Sequence, residues 1–349
     1  MMKKALLFIT VLALVLCCFS GCGKKEEETQ PTPTTTTMKQ TTTTTNPYLQ
    51  NPYTGEYDID KSSHTRPIGV VLGNNWKSRP QVGLEKADMY IEIETEGGIT
   101  RFLTIFANAD RLPDKIGPCR SARTPSVKVA YSLGVVYCHA GGSVTGKAKI
   151  RSLRLADLDG CSDSTAFWRD KSLLYSKGTE YSMMTGREEV IAAFDRYGYD
   201  KDRDVKSPFV FGNKKGDNPA KKATIQFSGY QTIKFEYNEK TKQYTKWNWV
   251  GADGIWEKHV SDSGASLDVS NIIVCYARKS MENKKTCDFA MEDGTGYVIS
   301  GGTYRNIKYS ITNDGVSFKE EDGKDLTVAT GKSYICIVNS AYRGDTSFE

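Results

Sequence analysis

The sequence predicts an α+β protein, with an N-terminal α/β domain over residues 66–205 followed by an antiparallel all-β domain over 221–342. Three observations carry this expectation. Strand-like and helix-like runs alternate from Arg66 to about Tyr199. After Lys206 the helical signals stop, and short β-branched and aromatic runs separated by Gly, Asp and Asn turns replace them. The composition, 38% hydrophobic and 26% charged in 349 residues, suits a globular chain long enough for two domains and excludes collagen, coiled coil and a polytopic membrane protein. A net charge of +5 is too mild to call for nucleic acid as a partner.

The first 21 residues read as a signal peptide outside the fold. Lys3 and Lys4 precede an uncharged, largely apolar run, Ala5–Phe19, which is shorter than the roughly 20 residues a spanning helix needs. Phe19-Ser20-Gly21-Cys22 resembles the bacterial lipobox, which implies cleavage before Cys22 and a diacylglyceryl anchor on its thiol. Two or more acyl chains hold a protein firmly to a bilayer where one chain is marginal. The expected location is therefore the extracytoplasmic face of the cell membrane, lipid-anchored. Residues 22–65 read as a tether, because Thr29–Thr45 carries 11 Thr with Pro31 and Pro33 and cannot bury enough apolar surface to offset chain entropy.

Within the first domain, Pro67–Leu72 reads as a strand. Asp88–Glu96 alternates Met89, Ile91 and Ile93 against Glu92, Glu94 and Glu96, and Gly97-Gly98 leads into Thr100–Ala107 as a hairpin. Thr124-Pro125 opens a short helix that Gly134 stops, and Val135–His139 is a further strand. Leu103–His139 then reads as one βαβ unit. Thr185-Gly186-Arg187-Glu188 fits a capping box for a helix ending near Gly198. Asp200–Ala220, rich in charge, Gly and Pro, reads as a linker. In the second domain Asn313-Asp314-Gly315 is hairpin-turn chemistry, and the spacing of seven short runs suggests a sandwich or barrel.

Chemistry is sparse in the sequence. Cys119, Cys138, Cys161, Cys275, Cys287 and Cys336 remain once the signal and Cys22 are set aside, and no CxxC or CxxH spacing suggests zinc. Neither a metal site nor a cofactor is expected. Lys115–Ala156 runs for 42 residues without an Asp or Glu, where proportion would give about five, yet it carries eight Lys and Arg. Arg forks match phosphate and carboxylate geometry, so Arg101, Arg120 and Arg123 with His139, Ser143 and Asn74 are expected to bind an anion. Arg101, Arg120, Arg123 and His139 lie at or just beyond strand ends and are expected to converge on one surface. Asp88, Glu92, Glu94 and Glu96 are the candidate acid/base or cation-holding groups, with a solvated face or pairing to arginines as the alternative for the glutamates.

These residues also carry a resemblance. Asn51-Pro52-Tyr53-Thr54-Gly55-Glu56, Arg66–Val71, Arg79–Leu84, Glu96-Gly97-Gly98-Ile99-Thr100-Arg101-Phe102, Ile116–Arg123, His139–Ser143 and Gly296–Tyr304 are similar to the YerB-like bacterial lipoproteins. The match spans about Asn51–Tyr342, and Cys119 stands where an aliphatic residue is expected. It implies a lipid-anchored, two-domain envelope protein. A weaker resemblance to the LytR-CpsA-Psr phosphotransferases rests on Asp88 and Arg120/Arg123 and implies an envelope glycopolymer enzyme. The two functional expectations are thus a non-catalytic protein binding an anionic wall polymer or envelope protein, and an enzyme of envelope polymers.

Overall fold

In a computed structural model, the structure describes residues 46–349 apart from 252–253. The signal peptide, Cys22 and the tether as far as residue 45 lie outside the described residues. Along the chain run β1 (Tyr48–Gln50), β2 (Tyr57–Asp60), β3 (Ile68–Gly73), β4 (Met89–Glu94) and β5 (Thr100–Phe106). Helix α1 (Thr124–Leu133), β6 (Val136–His139), α2 (Val144–Leu153) and β7 (Asp157–Asp159) follow. Then come β8 (Trp168–Arg169), α3 (Lys171–Lys177), β9 (Met183–Met184) and α4 (Arg187–Tyr197). The second half holds β10 (Val210–Phe211), β11 (Asn218–Pro219), β12 (Lys222–Gln226), β13 (Thr232–Asn238), β14 (Gln243–Val250), β15 (Ile255–Lys258) and β16 (Asp268–Val269). It continues with β17 (Asn271–Met281), β18 (Cys287–Ser300), β19 (Thr303–Thr312), β20 (Gly315–Glu320), β21 (Thr327–Val328), β22 (Ser333–Asn339) and β23 (Ser347–Phe348).

The fold is α+β, with every described α-helix in the first half. One eleven-stranded sheet, ordered β11-β19-β18-β17-β22-β4-β5-β3-β6-β7 with β20 beside β19, draws strands from both halves. The join is β22, which lies parallel to β17 on one side and to β4 on the other. A six-stranded sheet, β15-β14-β13-β12-β23 with β16 beside β14, packs its apolar face on one side of the large sheet, next to α4. Helices α1 and α2 cover the other side through Val127, Val129, Ala130 and Ile150. Strands buried on both faces need apolar residues at nearly every position, as Ile68–Gly73 shows.

Several local expectations are realised: β4 and β5 form the antiparallel hairpin, and Asn313-Asp314 joins β19 to β20. Gly134 and Gly198 end α1 and α4 in the left-handed conformation that glycine adopts cheaply. Others are corrected. The segment β5–α1–β6 is not a βαβ unit, because β6 is parallel to β3 while β3 is antiparallel to β5. The parallel crossover is β6–α2–β7. Arg123 rather than Thr124 is the N-cap of α1, and Gly186 rather than Thr185 that of α4. Residues 46–65, read as tether, are folded: β1 and β2 pair, and Tyr53 and Asn51 are fully buried. The stretch 200–220 is tied to both halves, by Arg66 N–H to Lys201 O and by Val210 N–H to Leu326 O. The second half is no separate sandwich or barrel, since its long strands extend the sheet begun by the first.

Candidate functional site

The C-terminal ends of β4 and β6 lie on one side of the large sheet, beside the N-termini of α1 and α2. Strand β4 passes through Thr95 into a tight turn at Glu96-Gly97-Gly98, where both glycines have positive φ. This turn holds Glu96 over Arg101, which sits in β5 between Ile93 and Gly73 and is only 5% exposed. The Glu96 carboxylate accepts from Arg101 Nη2 at 2.7 Å, from Arg123 Nε at 2.7 Å and from Arg123 Nη2. Arg101 Nη1 donates to the Ser121 carbonyl and Arg123 Nη1 to Ala122 O. Burial would raise the Glu96 pKa, but the Arg123 hydrogen bonds and the charges of Arg101 and Arg123 hold it at about 2. Burial, with the Arg123 charge, pushes Arg101 down to about 9, still cationic at neutral pH, and Glu96 offsets this only in part. One carboxylate serves two guanidinium groups.

The neighbouring candidates attach to this centre in different ways. Tyr137, fully buried, bonds its hydroxyl to Ser126 Oγ at 2.7 Å, and Ser126 Oγ also accepts from the Arg123 amide. His139 lies tilted against Tyr137, with ring centroids 5.1 Å apart, but is 1% exposed. Its Nδ1 lies 2.7 Å from Gly141 O and its Nε2 3.0 Å from Asp157 Oδ2. A carbonyl can only accept, so Nδ1 carries a proton, and the ring braces the corner between β6 and α2. Ser143 is the N-cap of α2, accepting from the Gly146 amide at 2.9 Å. Arg120 takes different partners, donating to Glu180 O at 2.7 Å and lying 5.0 Å over the Tyr181 ring, although its charge still acts on Arg101. The acid-free stretch thus finds its acids elsewhere in the chain: Glu96 for Arg123, Glu180 for Arg120, Asp159 for Lys147 and Asp288 for Lys128.

The glutamate row does not form a solvated face. Glu92 and Glu94 are fully buried in the sheet, and Glu96 lies past its end. Glu92 accepts from Asn74 Nδ2 at 2.7 Å, from Thr100 Oγ1 at 2.5 Å and from the Tyr334 hydroxyl. Thr100 and Arg101 are successive in β5 and so face opposite sides of the sheet. Asn74 therefore belongs to a different centre from the arginines. Glu94 pairs with Lys279, and burial raises its pKa despite that pairing. Asp88 sits at the far end of β4 from Glu96, with the strand's length of about 20 Å between them. There it accepts from Arg111 Nε and Nη2, from Asn51 Nδ2 at 3.1 Å and from the Ala107 amide at 2.8 Å.

Sequence reasoning missed a buried polar centre between the two sheets. Lys246, fully buried in β14, donates to Asn248 Oδ1 at 2.6 Å and to His259 Nδ1 at 3.1 Å, and lies 3.9 Å from Glu92. His259 Nε2 donates to Gln81 Oε1 at 2.9 Å, whose amide group donates to Gly73 O. Burial pushes Lys246 down to about 8 although Glu92 opposes this, and burial with the Lys246 charge drives His259 well below its ordinary value. The signal was present in the alternation of β14, where Tyr244, Lys246 and Asn248 occupy inward positions.

Comparison with known proteins places this geometry among relatives. Residues 53–200 match the family model described as the protein of unknown function (DUF3048) N-terminal domain, and residues 223–335 match its C-terminal domain. A Bacillus subtilis protein named "Putative lipoprotein YerB" is 28% identical over 298 residues, covering 83% of this chain and 86% of that protein. The crystal structure of YerB protein from Bacillus subtilis matches with a TM-score of 0.74 at 26% identity, covering 86% of this chain and 99% of that one.

Proposed function

Since the chain belongs to the DUF3048 family, we propose that it is a lipid-anchored cell-envelope lipoprotein on the extracytoplasmic face that binds an anionic envelope ligand through Arg101 and Arg123. The anchor rests on the Phe19-Ser20-Gly21-Cys22 motif and on the name of the Bacillus subtilis relative. The ligand reading rests on one observation, that two guanidinium groups share the single Glu96 carboxylate. That leaves one positive charge locally in excess. Glu96 keeps 30% of its side chain exposed and so is reachable from solvent. A phosphate or carboxylate entering there gains charge-assisted, fork-matched hydrogen bonds by joining or displacing Glu96. The enzyme reading called for Asp88 or the Glu92/Glu94/Glu96 row as its acid/base or metal-holding carboxylate; Asp88 is saturated by Arg111 at the other end of β4, and the Glu96 carboxylate is taken by the two guanidinium groups.

Glu96→Gln separates a binding site from a purely structural ion pair. If Glu96 competes with the ligand, the variant binds a phosphodiester polymer more tightly while losing stability, and Arg123→Gln weakens binding at least tenfold. Titration calorimetry on the full chain in lipid nanodiscs measures both. Equal affinity in wild type, Glu96→Gln and Arg123→Gln overturns the reading.

A further inference from the structure

A groove of about 900 Å3 opens at the turn between β18 and β19, away from the arginines. Ser300 pairs with Asn271 at the start of β17, and β17 runs parallel to β22 and so to β4. The groove therefore lies at the strand ends opposite to Glu96. Its base is Gly301-Gly302 with Tyr237, and its rim carries Lys214, Lys215, Lys221 and Lys242. The lysines come from three places: the stretch before β11, the entry to β12, and the turn joining β13 to β14.

The rim is built rather than incidental. A Cβ on Gly216 would fall 2.1 Å from Tyr304 O, so only glycine lets the stretch bearing Lys214 and Lys215 lie against β19. The Gly216 amide fixes it there by donating to Thr303 Oγ1 at 2.8 Å. Lys242 has φ +59, a left-handed conformation in which Gly, Asn and Asp are the low-cost residues. A lysine nonetheless occupies that position in this chain.

The charge is also in excess. Asp217 and Glu239 are the acids lining the groove, and Glu239 is taken by Lys221 at 2.6 Å. Lys214 leans on Glu320, which Arg305 already holds at 2.9 Å. Lys215 and Lys242 are exposed and, among the described residues, form no salt bridge, although the Lys242 charge also bears on Glu239. Lysine is a point charge without the planar demands of a guanidinium, so lysines suit repeating anions whose register along a chain is not fixed. The Tyr237 ring supplies an apolar surface for the carbon skeleton between charges. The volume is that of an ordinary ligand site, enough for a short stretch of chain.

We propose that this groove binds a segment of a phosphodiester-linked polyol or glycan polymer, as a second anion site independent of the Arg101–Arg123 edge. The test is binding of poly(glycerol phosphate) to the full chain in nanodiscs at several salt concentrations. In the Arg123→Gln background, which isolates this groove, Lys215→Gln with Lys242→Gly should weaken the remaining binding about tenfold and flatten its salt dependence. The melting midpoint should hold or rise, because glycine relieves the left-handed residue. Unchanged affinity in that double variant overturns the proposal. Complete loss of binding in Arg123→Gln alone overturns it too, while leaving the arginine site standing. Poly-glutamate bound as tightly as poly(glycerol phosphate) overturns it in favour of an acidic protein partner.

Discussion

Strand β4 supplies carboxylates to two centres of opposite character. At Glu92 the surroundings are closed: Asn74, Thr100, Tyr334 and Gln231 all donate to the carboxylate, and Lys246 lies behind them between the two sheets. At Glu96 the chain has left the strand, the carboxylate is part-exposed, and two guanidinium groups share it. A buried charge pair seldom adds stability over an apolar core, yet removing one partner is costly because the other charge is stranded. At Glu96 only the carboxylate side is open to solvent, so a ligand can join or exchange with it, although removing Glu96 outright leaves the buried Arg101 cation without its carboxylate. The first centre therefore holds the two sheets in register, and the second is where a ligand can take part.

The largest effect should come from opening the closed centre. Lys246→Met leaves Glu92 buried without its cation, and Glu92→Leu leaves Lys246 likewise. Each should destabilise by about 3–5 kcal/mol, and the double variant by less than the sum, because both charges then go together. Chemical denaturation of the four proteins measures this. Additive losses would show that Lys246 and Glu92 are not coupled across the interface. Lys246 is held down to about 8, below its ordinary 10.5, so the unfolded chain binds the extra proton between those values. Its contribution to stability should rise with pH from about 8 upward, until the buried tyrosines begin to oppose it. That rise should vanish in Lys246→Met.

A smaller effect belongs to Glu96. Its carboxyl is held at about 2 against an ordinary 4.5, so its contribution is present above about pH 4.5 and lost as the pH falls towards 2. Allowing for its partial exposure, the loss should be on the order of 2 kcal/mol. Melting curves across that acid window should show a limb that Glu96→Gln lacks. An identical limb in the variant would assign the acid sensitivity elsewhere, with Asp163, held low by Thr165 and the Ala166 amide against its burial, the first alternative.

The two centres also differ in how far the sequence disclosed them. Met89, Ile91 and Ile93 declared the β4–β5 hairpin, and Gly134 and Gly198 declared helix ends, because those signals are local. The glutamates alternating with them read equally well as a solvated row, since a carboxylate facing water and one facing a buried cation give the same pattern. Their partners Lys246, Lys279 and Tyr334 lie over 150 residues away in the chain and are brought in by β22 and the six-stranded sheet. The long passage from Ala107 to Arg123 similarly hid the direction of β6, because strand polarity is set by where that passage returns. Arg101 and Arg123 were legible within a larger group, and pairing of the glutamates with arginines was legible as an alternative; what the sequence withheld was that Glu96 alone of the row takes both guanidinium groups.

The smallest effect separates Arg120 from its neighbours. The sequence grouped Arg120 with Arg123, and the structure gives them different partners: Glu180, 71% exposed, for the one and Glu96 for the other. An ion pair with so exposed a carboxylate contributes about 0–1 kcal/mol, with a similar increment from the guanidinium over Tyr181. Arg120→Ala should therefore shift the melting midpoint by only a few degrees at most and leave phosphodiester binding within about twofold. Arg123→Ala should lower both, since it removes one of the two cations that hold Glu96. A double variant no worse than Arg123→Ala would confirm that Arg120 lies outside the site. If Arg120→Ala alone abolishes binding, the ligand reaches across to Tyr181 and Glu180, and the site is wider than the Glu96 bridge.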